Sequence, residues 1–156
     1  MVNNSEDEKL VKVVIDAYDD TFGVGGEGLW ARPLGDDLYE IRNTPWHTFE
    51  VSWGDVVRAV PEASNQRPKF IEVVRRSGHR TLHIYFFKET SPQEKSAILA
   101  ALHTWKGSFE NSDSSLYAID FEPDGNLDGA RNYLDKFEAA GKLEYRTMIS
   151  PSAQAE

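Results

Sequence analysis

The sequence predicts an α+β fold, with a small curved β-sheet or partial barrel in the first half and a two-layer βαββαβ sandwich in the second. Three observations predict it. Before residue 88 the apolar residues occur in short β-branched or alternating runs broken by Gly, Pro and Asp, the mark of strands. Ser91-Pro92-Gln93-Glu94 is a capping box with proline at the first helical position, and Ile98, Leu102 and Trp105 follow at helical spacing. From Thr81 onward the elements run strand, helix, strand, strand, helix, strand.

Taken in order, Leu10 to Ala17 reads as a strand that ends at the acidic turn Asp19-Asp20 and leads into the glycine-rich stretch Gly23 to Gly28. Residues 29–42 read as two strands joined through Gly35-Asp36-Asp37. His47 to Val51 and Asp55 to Val60 read as two short strands broken at Gly54 and closed by Pro61. Phe70 to Arg76 and Thr81 to Phe87 read as a hairpin with Ser77-Gly78-His79-Arg80 as its loop. A helix then runs to Lys106-Gly107, a hairpin turns at Ser112-Asp113-Ser114, and a second helix carries Leu127, Ala130, Leu134 and Phe137 on one stripe until Gly141 stops it. Leu143 to Ile149 closes as a strand. The last six elements have the order of a ferredoxin-like sandwich, two helices on one face of an antiparallel sheet. Residues 10–149 are therefore expected to form one domain, with a β-rich part over 10–76 packed beside a ferredoxin-like part over 80–149, between polar disordered tails at 1–9 and 150–156.

Composition narrows the function. The chain has 156 residues, 40% hydrophobic, which suffices for a core. Its 26 acidic against 17 basic side chains give a formal charge of -9, a field that repels nucleic acid and favours basic partners. Cysteine is absent, so neither disulfide nor thiolate chemistry is available, as suits a reducing cytoplasm. No apolar run reaches the roughly 18 residues of a membrane span, and "MVNNSEDEK" is too acidic for a signal peptide. The expectation is a cytoplasmic protein with no cofactor and no metal.

Two motifs invite chemistry and fail on context. Gly23-Val24-Gly25-Gly26-Glu27-Gly28 satisfies G-x-G-x-x-G, but Leu29 to Pro33 is strand-like where a dinucleotide loop needs a helix, and Glu27 would face the phosphate. A loop is the expected reading. Asp124-Gly125-Asn126-Leu127-Asp128-Gly129, with Asp135 at the twelfth place, has calcium-loop spacing, but a strand precedes it and the final ligand is Asp instead of a bidentate Glu. There Asp124 or Asn126 is expected to cap the second helix, with Asp128 in its first turn. Of His47, His79, His83 and His103, the pair His79 and His83 would lie roughly 13 Å apart on a strand, too far to share a metal. His79 between Arg76 and Arg80 would hold an anion or, more simply, sit in a solvated charged turn.

The stretches "EGLWARPLGDDLYEIRNTPW" (Glu27 to Trp46), "WGDVVRA" (Trp53 to Ala59) and "FIEVVRRSGHRTLHIYF" (Phe70 to Phe86) together resemble a bacterial family, Domain of Unknown Function 4265. Its pattern couples a "SLWAEPLGDGRY"-like opening to a "GDVV" turn and an "RSGHST"-like hairpin, followed by helix, hairpin, helix and strand. The resemblance spans roughly Leu10 to Ile149. Arg80 departs from it, standing where the family often has serine. The resemblance supports the order of elements and implies no activity, cofactor or site residue.

The function expected is that of an acidic protein-binding inhibitor, immunity or antitoxin-like, occluding the active site of a basic toxin. Trp46 and Trp30 would anchor the partner, Glu50, Asp36, Asp37 and Asp55 would stand in for its substrate's phosphates, and His79 and Arg80 would lie at the same surface. Around Trp46, alternation puts Phe49, Val51 and Trp53 in the core and leaves Trp46 with Glu50 on the polar face. The alternative is a small-molecule sensor, by fold analogy. An enzyme with His79 or His47 as base ranks last, since no nucleophile, base and orienting group share a motif. Neither nucleic acid nor membrane is an expected partner, and the sequence leaves the oligomeric state open.

Overall fold

The computed structural model describes residues 9–16, 26–111 and 115–147. The tails, the Asp19-Asp20 turn, Gly23 to Gly25, the Ser112 to Ser114 turn and the end of the last strand lie outside the described residues. The chain divides into two compact units, Met1–Ser77 and Gly78–Glu156.

The first unit is a closed barrel of five strands: β1 (Val11–Ile15), β2 (Glu27–Gly35), β3 (Leu38–Ile41), β4 (Val56–Pro61) and β5 (Pro68–Arg75). Successive strands pair antiparallel, and β1 closes on β5 in parallel at Val14 and Lys69. The curved sheet expected from the sequence is thus sealed. Closure removes the edges that an open sheet would offer to other chains. The alternation does its work here: Val13, Ile15, Leu29, Ala31, Ile41, Val57 and Ala59 point inward and form the core with Val51. The outer face carries cross-strand ion pairs in register, Arg32 with Glu40 at 3.3 Å and Arg58 with Glu72 at 3.2 Å. Exposed pairs of this kind contribute roughly 0–1 kcal/mol each, so the interior holds the barrel. On β5 the register slips twice against β4, leaving Ile71 and Val74 as extra residues that point outward.

Two sequence expectations fail in this unit. His47 to Val51 is not a strand but part of an irregular excursion between β3 and β4, because its backbone amides bond to side chains and not to a neighbouring ladder. Nor do residues 70–76 and 81–87 form a hairpin. Both are strands, but β5 pairs with β4 and β1, while β6 (Arg80–Phe86) belongs to the other unit's sheet. Strand pattern reports which segments extend; it does not report which segments pair.

In the second unit β6, α1 (Pro92–Ala101), β7 (Gly107–Asn111), β8 (Leu116–Phe121), α2 (Leu127–Ala139) and β9 (Leu143–Thr147) follow in order. The antiparallel sheet has strand order β7-β8-β6-β9. Ser91 caps α1 with the reciprocal Glu94 contact that the sequence predicts. A short 3-10 turn, Leu102–Trp105, extends the helix to Lys106 in the left-handed conformation. Asn126 caps α2 by accepting from the Gly129 amide at 2.9 Å. At the other end Gly141 and Lys142 donate back to Glu138 and Phe137, the paired bonds of a glycine stop. Leu82, Ile84, Phe86, Ile119 and Phe121 from the sheet pack with Ile98, Leu99, Leu102, Ala130 and Leu134 from the helices.

The calcium-like loop is therefore a helix start. Asp124 pairs with Lys106, Asn126 caps, Asp128 stands in the first turn of α2, and Asp135 bonds the Tyr145 hydroxyl.

Candidate functional site

Residues 42–55 leave β3 and return to β4 without regular structure, so their backbone polar groups need partners from elsewhere. Two carboxylates supply them. Glu27, 9% exposed at the start of β2, accepts from three consecutive amides: Trp46 at 2.5 Å, His47 at 3.1 Å and Thr48 at 3.0 Å. An ionised carboxylate has the lone pairs for three donors, and such bonds are stronger than neutral ones. Asp55, 1% exposed, accepts from the amides of Ser52 at 2.9 Å and Ser77 at 2.8 Å, and from the Arg76 guanidinium at 3.2 Å. The ends of the excursion close through Gly54 donating to Ile41 and Ile41 donating to Asp55.

This geometry corrects the expected role of Asp55. It is an interior organiser of its own chain, not a surface carboxylate facing a partner. Asp55→Asn leaves one side-chain oxygen where two were used, so a loss of about 1–3 kcal/mol in urea-unfolding stability is expected.

The other site residues of the first unit divide by exposure. Trp30 is 44% exposed on the outer face of β2, with the Lys12 ammonium 4.7 Å from its ring centre. Asp36 and Asp37 are exposed at the β2–β3 turn, and Leu34 beside them is 41% exposed. Glu50 is exposed, and its carbonyl accepts from Arg76 at 2.8 Å. Val51 is buried as alternation predicts, whereas Trp46, Phe49 and Trp53 are all half-buried. The expected separation of a free Trp46 from a buried Trp53 is not seen, because the segment is not a strand and parity does not apply to it. Trp46 is instead positioned by the hydrogen bond its backbone N–H donates to Glu27.

His79 and Arg80 belong to the second unit, and the solvated turn expected for them is absent. His79 Nδ1 stands 3.0 and 2.9 Å from the two carboxylate oxygens of Asp120 on β8, with side chains 17% and 12% exposed. Arg80 donates to the Gly125 carbonyl at 2.6 Å. Burial lifts the Asp120 carboxyl above the usual aspartate range, and the bond and charge of His79 oppose that rise. The contact joins an imidazole to a carboxylate 41 residues further along. Sequence reading missed Glu27 and Asp120 as organising groups. For Asp120 a signal existed: it interrupts the apolar run "LYAIDF" at a strand position that alternation buries.

The sequence matches the model of "Domain of unknown function (DUF4265)" over residues 27–145. No curated protein matches it. In structure it is similar to a hypothetical protein from Neisseria gonorrhoeae known from a crystal structure, with a TM-score of 0.77 and 20% sequence identity over 90% of this chain and 95% of that one. At that identity the likeness concerns the fold alone. With the matched span running from the carboxylate that organises the first unit to the last strand of the second, the chain belongs to the DUF4265 family.

Proposed function

We propose that the protein is an acidic protein-binding inhibitor, immunity or antitoxin-like, which neutralises a basic bacterial toxin by occluding its active site. We also infer that its second unit is a ferredoxin-like sandwich, a reading supported by the βαββαβ connectivity and the strand order β7-β8-β6-β9.

The observation that carries the functional reading is the β2–β3 turn. Asp36 and Asp37 have φ of 57° and 63°, so both central residues of the two-residue turn are left-handed. Such turns prefer Asn-Gly, because a left-handed backbone costs most side chains roughly 1–2 kcal/mol. Here two adjacent carboxylates occupy the positions, exposed, and repel one another. Asp tolerates the left-handed backbone, but two adjacent exposed carboxylates are not the pair such a turn prefers. A basic partner would gain from them, and the exposed Leu34 and Trp30 on the same strand add apolar contact of the kind that dominates interfaces.

The test separates folding from binding. Asp36→Asn with Asp37→Gly is expected to raise stability by about 0.5–1 kcal/mol, since the turn then has its preferred residues. The same double variant should weaken capture of the partner, recovered by pull-down from the native host, by roughly tenfold or more for the loss of two interfacial charges. Recovery of no basic partner, or unchanged affinity in the double variant, refutes the reading.

A further inference from the structure

The segment that joins the two units is anchored on either side of one residue. Ser77, at the end of the first unit, donates its amide to Asp55 at 2.8 Å and its hydroxyl to the Trp53 carbonyl at 2.6 Å. His79, the second residue of the other unit, is held by both oxygens of Asp120. Gly78 stands between them at φ +94°, and a Cβ there would meet Pro123 at 3.1 Å. The left-handed backbone favours glycine at this position, and the space beside it is tight.

We propose that His79 and Asp120 form a proton-operated clasp on the start of β6, which holds the joining segment while Asp120 is ionised and releases it when Asp120 is protonated. The imidazole meets Asp120 through both carboxylate oxygens. An ionised carboxylate accepts the Nδ1 proton through both oxygens, whereas a neutral one loses the charge and turns one oxygen into a donor.

The sign follows from the two influences on Asp120. Burial raises its pKa whether or not His79 is in place, and His79 lowers it only while bound. Proton uptake therefore favours the state in which the carboxyl stays buried and the imidazole has left. Among the described residues of the second unit, the neighbouring groups are these. Glu122, two residues on, raises Asp120 further. The strand register sets Thr81 and Ser108 beside Asp120, and His83, Glu110 and Arg146 in the next row on that face. Arg80 is engaged by the Gly125 carbonyl, and Lys106 by Asp124.

The proposal does not depend on the toxin-inhibitor reading. Amide hydrogen exchange on the full chain, corrected for intrinsic rates and followed from about pH 7 to about pH 4, tests it. Exchange at residues 78–80 should rise by roughly tenfold relative to Leu82 and Ile84, the opening expected on loss of one charge-assisted hydrogen bond. Asp120→Asn should show the fast exchange already at neutral pH, and His79→Gln should be fast and insensitive to pH. Flat exchange at residues 78–80 in the wild type overturns the clasp, as does a pH response that survives unchanged in either variant. If Asp120→Asn fails to fold, the wild-type profile and His79→Gln decide.

Discussion

Replacing Glu27 by alanine is expected to destabilise the first unit by about 3–5 kcal/mol, because three backbone donors lose one buried acceptor together. The residue opens β2 and its carboxylate meets the excursion directly, replacing the sheet ladder that Trp46, His47 and Thr48 lack. In the variant those amides would be left unsatisfied or would open the segment to water, and Thr48 and Val51 would lose their buried positions. Glu27→Gln is the informative control. It keeps one acceptor oxygen and places an amide NH2 against a donor, so about half the loss should remain. For a unit of this size a 3 kcal/mol loss corresponds to a fall in melting temperature of well over 10 °C, readily seen by calorimetry. A shift below about 1 kcal/mol in Glu27→Ala would mean that the excursion carries its own order.

Gly129→Ala is expected to destabilise the second unit by about 2–4 kcal/mol, against what helix propensity alone predicts. Gly129 lies in the first turn of α2, where alanine should gain up to about 1 kcal/mol over glycine. The built methyl, however, would stand 2.3 Å from Trp105 Nε1, 2.6 Å from Trp105 Cδ1 and 2.9 Å from the Asn126 amide nitrogen. Trp105 has little room to yield: its ring packs at a tilt against Tyr133, centroids 5.4 Å apart, and its carbonyl accepts from the Asn126 backbone amide. Displacing it disturbs both the helix cap and the aromatic contact, so steric cost outweighs propensity. Urea denaturation of Gly129→Ala with Trp105→Phe as a second background would show the loss shrinking when the indole nitrogen is removed, if contact is its cause.

These two residues show what the sequence makes legible and what it hides. Local grammar reads well: Ser91 with Glu94 caps α1, Asn126 caps α2, Gly141 stops it, and Gly35-Asp36-Asp37 turns the hairpin, because each depends on neighbours within four or five positions. Partnership at a distance does not. Glu27 reaches an amide 21 residues on, and His79 reaches a carboxylate 41 residues on, and nothing in the local spacing marks either. The hairpin expected across Ser77 to Arg80 failed for the same reason: two well-formed strand patterns in succession look paired, although one completes a barrel and the other begins a new sheet. The strand expected over His47 to Val51 failed because alternation persisted in a segment whose hydrogen bonds had gone to Glu27. Of the eight residues expected to meet a partner, the exposed ones are Trp30, Asp36, Asp37 and Glu50, whereas Asp55 is interior.

The parallel closure of the barrel bears on how the chain acquires its structure. β1 is the first of the described strands, yet Lys69, which pairs with its Val14, lies 55 residues further along, and no local turn brings the two together. The antiparallel strands from β2 to β5 pair with their neighbours in sequence, across the turn at Asp36-Asp37, the excursion over residues 42–55 and the loop before Pro68, but β1 gains its second neighbour only after the whole barrel sequence has been synthesised. Closure must therefore wait on a contact of high sequence separation, whose loop entropy is paid before any apolar burial rewards it. Until then the nascent chain presents β1 and β5 as open edges, and the sealing of that seam sets the interval during which it is open to pairing with other chains.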